Sequence, residues 1–227
     1  MNSRTLNFRV TMYLLIGLAM AIAPACSTSF AKHSVAPSKT TASSAAVTPT
    51  SPNESRPETR VMPLNVDGKV SEVELKLFNQ ASLPLTTYVP GKEFSSEVGS
   101  SGEGKAVRFN YSPDGKQDGK AYIHIFLPTR STSLEGIQDL LLNDGGLLAS
   151  NGWELVDRTD IVSYAWAREK LIYQQRTGNQ TFVGAIYVGE HNSQAFYAFT
   201  HYPVEYSNDF EPRSTVVLES LQFRDEQ

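Results

Sequence analysis

Phe182-Val183-Gly184-Ala185-Ile186-Tyr187-Val188-Gly189, then Glu190-His191-Asn192-Ser193, then Gln194-Ala195-Phe196-Tyr197-Ala198-Phe199: this stretch decides the fold. Phe182, Gly184, Ile186 and Val188 share one face of an extended chain, and Val183, Ala185 and Tyr187 share the other. The polar segment 190–193 carries turn chemistry, so strands over about 180–189 and 194–204 form a hairpin. Both faces of the strands are apolar, which predicts a sheet covered on both sides. A third strand, about 162–175, precedes them, and Pro203 ends the last one.

Outward from this hairpin the same reading continues. Ala121–Leu127 places Ile123, Ile125 and Leu127 on one face and Tyr122, His124 and Phe126 on the other, with Pro128 as its end. Short strands are expected around Leu85–Pro90 and Lys105–Tyr111. Val73, Leu75 and Leu77 alternate with Glu72, Glu74 and Lys76, the period of a half-buried strand. Thr132-Ser133-Leu134-Glu135 predicts a capping box, and Leu134, Ile137, Leu140 and Leu141 form the apolar stripe of the helix that follows. Gly145 and Gly146 interrupt that helix, and Gly152 precedes a short strand from Trp153 to Val156. Pro212 suits the first position of a closing helix with Val216, Val217 and Leu221 turned inward. The expected fold class is α+β: a mainly antiparallel β-sheet flanked by helices, an α/β/α sandwich.

The chain divides into three parts. Residues 1–25 read as a signal peptide: Arg4 and Arg9 without an acid, an apolar run from Val10 to Ala25, then Ala23-Pro24-Ala25. That run falls short of a spanning helix. The one cysteine of the chain, Cys26, follows directly. A single Cys makes no intramolecular disulfide. Its position resembles a bacterial lipobox, which implies lipidation of Cys26, although Ala23 stands where such motifs usually carry Leu and Pro24 is unusual. Ordinary cleavage after Ala25 or Ala31 is the alternative. Residues 26–60 read as a disordered tether, with 23 Ser, Thr, Ala or Pro among the 34 residues after Cys26, too few apolar groups to offset the ordering entropy. A coil of that length reaches about 30 Å. Residues 61–227 are then a single globular domain. It holds 14 Lys/Arg against 22 Asp/Glu, an acidic balance that argues against nucleic acid, which needs a basic footprint.

Taken together, the pattern resembles the PsbP-like, Mog1 and DcrB-like α/β sandwich. The likeness rests on Val216-Val217-Leu218-Glu219-Ser220-Leu221-Gln222-Phe223, an apolar-Ser-apolar phrase closing the last helix. It rests also on the aromatic strand Ala195–Phe199 and on Tyr88-Val89-Pro90. Members often begin as lipoproteins. The resemblance implies a non-enzymatic extrinsic or assembly protein.

Chemical motifs are sparse. The segment from Gly99 to Ala106, with Gly104 and Lys105, has a P-loop outline but lacks its final Ser/Thr and runs into a strand, where a P-loop needs a helix. No G-x-S-x-G or H-E-x-x-H is present. His191 in a turn and His201 in the last strand lie too far apart along the hairpin to share a metal. His124 and His201 can meet across a sheet. Glu205, Asp209 and Glu211 cluster before the last helix without the spacing of a calcium loop, and Trp153 and Trp166 suit the core. No metal, cofactor or catalytic residue is assigned. The functional expectation is an exported protein, anchored by lipid on Cys26 to the periplasmic, lumenal or extracellular side of a membrane. Its domain binds an envelope or membrane protein and is not an enzyme. The alternative is a small-ligand binder or enzyme with a pocket near His124 and His201.

Overall fold

The computed structural model describes residues 56–66, 68–113, 115–116 and 119–224. The signal peptide, Cys26 and the tether up to residue 55 lie outside the described residues. Among the described residues eleven strands and three α-helices follow in chain order. The strands are β1 Thr59–Val66, β2 Lys69–Asn79, β3 Leu85–Pro90, β4 Phe94–Ser100, β5 Gly104–Tyr111, β6 Tyr122–Pro128, β7 Glu154–Thr159, β8 Ala167–Thr177, β9 Gln180–His191, β10 Gln194–Pro203 and β11 Gln222–Phe223. The helices are α1 Leu134–Leu142, α2 Leu147–Asn151 and α3 Ser207–Glu219.

These strands build two sheets, one of four in the order β1-β2-β3-β11 and one of seven in the order β4-β5-β6-β10-β9-β8-β7. Every pairing is antiparallel. This corrects the expected fold class. The protein is mostly antiparallel β in two sheets, not a sheet flanked on both sides by helices as in the PsbP/Mog1-like α/β/α sandwich. The physical reason is that apolar side chains of the smaller sheet, Phe78, Leu85 and Val89, join the same core as Phe109, Ile123, Ile125, Phe196 and Ala198 of the larger one. On that side a second sheet and α3 do what a helical layer was expected to do. We call this the inner face. The opposite, helix face packs Leu171, Tyr173, Ile186, Val188, Tyr197 and Phe199 under Ile137, Leu141 and Leu148 of α1 and α2.

Local chemistry accounts for most boundaries. The β9–β10 turn is two residues long, with His191 opposite Gln194, and Asn192 and Ser193 both have positive φ, 48° and 60°. That is the left-handed pair a tight hairpin requires. Gly184 is obligatory for a different reason: a Cβ there would lie 2.0 Å from the carbonyl oxygen of Thr200 and 2.6 Å from the hydroxyl of Tyr173.

Two predicted helix starts shift. Ser133, not Thr132, caps α1, accepting from the Gly136 amide at 3.1 Å. Glu135 therefore sits one residue too early to close a capping box. Pro212 lies inside α3, not at its start. The helix begins five residues earlier because Phe210, wholly buried, anchors its first turn in the core. Val216, Val217, Leu218 and Leu221 are buried as well.

The described chain starts within the stretch read as tether. Arg56 donates to the Thr86 hydroxyl at 2.8 Å and the Ser220 carbonyl at 3.0 Å, and its guanidinium lies 4.4 Å from the Tyr88 ring centre. Among the described residues no helix is long and apolar enough to cross a membrane.

Candidate functional site

The helix face carries the titratable groups that the strand pattern placed on one side of β6 and β10. Across the sheet Asn110 and His201 both stand opposite Tyr122, and Arg108 and Phe199 both stand opposite His124. Opposite residues point to the same face. His124 and His201 therefore share a face, two positions apart in register. His201 is almost fully buried. Its ring stacks on Phe182 at 4.9 Å and 8° and on Trp153 at 5.4 Å and 19°. Tyr173 stacks on Trp153 from the other strand at 4.1 Å.

One hydrogen-bond pair fixes the protonation of His201. The Tyr173 hydroxyl donates to the Thr200 carbonyl at 2.8 Å and lies 3.1 Å from Nδ1 of His201. With its proton given to Thr200, the phenol oxygen can only accept, so His201 carries its hydrogen on Nδ1. Burial lowers the pKa of His201 to about 4, and the positive charge of Arg108 adds to the effect. His124 is lowered to about 4 by the same two causes in the same order. Both rings are neutral near pH 7. Arg108 lies 3.5 Å over the Tyr122 ring. It donates from Nε to Asn110 Oδ1 at 2.7 Å and to the Gly119 carbonyl at 3.1 Å.

The rings of this row pack against one another, and the two clefts that follow are lined by neither His124 nor His201. A cleft of about 590 Å³ lies between Asn65 and Gly68 of the β1–β2 hairpin and Ser207, Glu211 and Thr215 of α3. An apolar slot of about 180 Å³ opens between the sheets, lined by Phe78, Val89, Phe94, Ser96 and Phe109 with Lys76 and Gly91 among its walls.

The other candidates are dispersed. His191 stacks on Phe223 at 4.5 Å. Glu205 accepts from Gln180 at 2.7 Å, which lowers its pKa. Glu211 accepts from the Tyr202 hydroxyl at 2.5 Å, and burial together with that carboxylate raises the Tyr202 pKa. Asp209 lies 3.7 Å from Arg213. Among the described residues no three His, Cys, Asp or Glu side chains are grouped to hold a metal ion. The P-loop-like segment forms the tip of the β4–β5 hairpin, closed by the Ser101 amide on the Gly104 carbonyl at 2.8 Å. Its Lys105 donates to the Ser82 carbonyl. Trp153 is buried, and Trp166 donates from its indole to the Leu218 carbonyl at 2.9 Å.

Sequence reasoning missed two features. Ser220, noted only as part of a phrase, ties α3 to β3: its hydroxyl accepts from the Tyr88 amide at 2.9 Å and donates to the Val216 carbonyl at 2.7 Å. Strand β4 was not anticipated, because Phe94–Ser100 is rich in Ser and Gly; the alternation of Phe94, Ser96 and Val98 was the available signal.

No protein-family description matches the chain, and no curated protein is similar to it. One solved structure, a protein from Bacteroides thetaiotaomicron VPI-5482, is 14% identical, with a TM-score of 0.41 over 66% of this chain. The chain spans about half of that protein's length, 48%.

Proposed function

We propose that this is an exported protein, anchored through lipid on Cys26, whose β domain binds a protein partner at the membrane surface without performing catalysis. The observation that favours this over the enzyme reading is the state of His201. Its Nδ1 is tied to Tyr173, and Phe182 and Trp153 stack against its ring. Such a histidine holds strands together, and a general base instead needs an open approach to a substrate proton. The tether raises the effective concentration of a membrane-bound partner to roughly the millimolar range, so a modest interface suffices.

The test compares the full-length wild type with two variants in a strain lacking the gene. Mass spectrometry of the mature wild-type N-terminus should find acylated Cys26. Cys26→Ser should be exported yet fail to restore the wild-type phenotype at native expression. His124→Phe, with its fold verified by circular dichroism, should restore it. Full activity of Cys26→Ser together with loss in a folded His124→Phe would replace this reading by that of an enzyme or ligand binder.

A further inference from the structure

The apolar slot between the sheets has one charged side chain in its wall, Lys76. Lys76 and Phe78 alternate along β2, and Val89 stands opposite Lys76 in the ladder with β3. All three therefore share the inner face of the smaller sheet. Phe94 and Ser96 of β4 and Phe109 of β5 close the slot from the larger sheet, and Phe78 meets Phe109 edge to face at 5.0 Å. The bonded pairs of the β4–β5 ladder run from Ser101–Gly104 to Glu93–Ser112. Such pairs alternate, so Ser95, Glu97 and Gly99 bond to β5, while the amides of Ser96 and Val98 point away from it.

Two observations single out Lys76. First, among the described residues no carboxylate is ion-paired with it. Its ladder neighbours, Thr59 and Val89, are uncharged. Glu93, the acid of the β3–β4 turn, is taken by Arg213 at 2.8 Å. Glu74, two residues along the same face of β2, is not within ion-pair distance. Second, its stem is laid against Gly91, which also lines the slot. A Cβ at Gly91 would lie 2.7 Å from Cδ, 2.8 Å from Cγ and 3.0 Å from Cε of Lys76. Three methylenes thus lie flat on the glycine along the slot, and the exposed ammonium stands at its mouth.

We propose that this slot binds a small aromatic monocarboxylic acid, with its one ring among Phe78, Phe94 and Phe109 and its carboxylate on the Lys76 ammonium. The site stands apart from the partner-binding reading above. Volume sets the size of the ligand: the slot holds about 180 Å³, and an apolar cavity of about 150 Å³ takes one benzene. Three phenyl walls favour a ring over an alkyl chain through edge and offset contacts. The charge of the ligand follows from Lys76, the single cation of the wall, which lacks a protein counter-ion.

The probe is 3-phenylpropanoate, titrated into the full-length chain and followed by calorimetry and by the amide chemical shifts of Gly91 and Ser96. Binding should saturate and move both amides. Lys76→Met removes the charge and keeps most of the stem, so it should weaken binding about fivefold while the melting temperature holds, because Lys76 is exposed. The uncharged 3-phenylpropanamide should bind the wild type more weakly by a similar factor. Propanoate, which lacks the ring, should bind more than about tenfold more weakly. Ser96→Leu fills the slot from β4 and should abolish binding. Absence of saturable binding, equal binding to Lys76→Met, equal binding of the amide, or shifts confined to other residues overturns the site. A peptide ending in a free phenylalanine that binds about tenfold more tightly than the acid would overturn the small-acid occupant in favour of a protein C-terminus.

Discussion

The two faces of the seven-stranded sheet are buried by different chemistry. On the inner face Phe109, Ile123, Ile125 and Phe196 meet Phe210, Val217 and Leu218 of α3 and the apolar side of the second sheet. The helix face is apolar under α1, but beyond the helices it is completed by a row of rings in which Tyr122, His201, Trp153 and Tyr173 pack together. Arg108 caps the open end of that row. An aliphatic and phenyl layer is indifferent to pH. An imidazole in a comparable position is not, because its charged form loses hydration that the layer does not replace.

The largest test of this contrast is a cavity on the inner face. Phe210→Ala should cost about 3–5 kcal/mol in chemical denaturation, since the side chain is wholly buried and truncation leaves a hole. A cost below about 1 kcal/mol would show that α3 is not part of the inner layer. Its pH dependence should match the wild type.

Next in size is the acid response of the helix face. The folded values of His124 and His201 are both lowered to about 4, below the ordinary histidine value of about 6.5. Between those values the unfolded chain binds protons that the folded chain refuses. Stability is therefore complete above about pH 6.5 and falls as pH drops toward 4, by on the order of 2–3 kcal/mol per histidine. Denaturation midpoints at pH 7 and pH 4.5 measure this. His124→Phe should remove one histidine's share of the difference; an unchanged slope would mean that ring is freely solvated.

Smaller again is the polar tie behind the inner face. Ser220→Ala leaves the Tyr88 amide without its acceptor, a loss of about 1–3 kcal/mol. A neutral result would show that the ladder of β3 alone holds α3 in place. The smallest effect belongs to the edge strand β4: Val98→Pro deletes no bond to β5 and should cost less than about 1 kcal/mol in chemical denaturation.

Several of these features were legible from the chain. The alternation in 121–127 put His124 on the face opposite Ile123 and Ile125, and the structure has them there. Pro128 and Pro203 are the last residues of β6 and β10. What misled was weak strand chemistry. Thr59–Val66 contains Pro63 and follows a Ser/Thr/Ala/Pro-rich stretch, and four of the seven residues Phe94–Ser100 are Ser or Gly. Neither segment has an intrinsic preference strong enough to be read as strand. Both become strands because β2 and β5 offer them complete backbone ladders. Missing β1 hid the second sheet, and missing β4 hid an edge strand of the larger one.

The sequence by itself determined the local grammar of this protein: which residues alternate, where proline and left-handed positions stop a strand, and which side of each strand is apolar. Those are properties of neighbours, written within a few residues of one another. Only the tertiary structure decided that the inner face is closed by strands, that the phenol of Tyr173 sets the tautomer of His201 from 28 residues away, and that β4 ends the larger sheet among the described residues. Each of these depends on which distant segments compete for the same apolar surface or the same backbone ladder, and that competition is settled by packing across the whole domain.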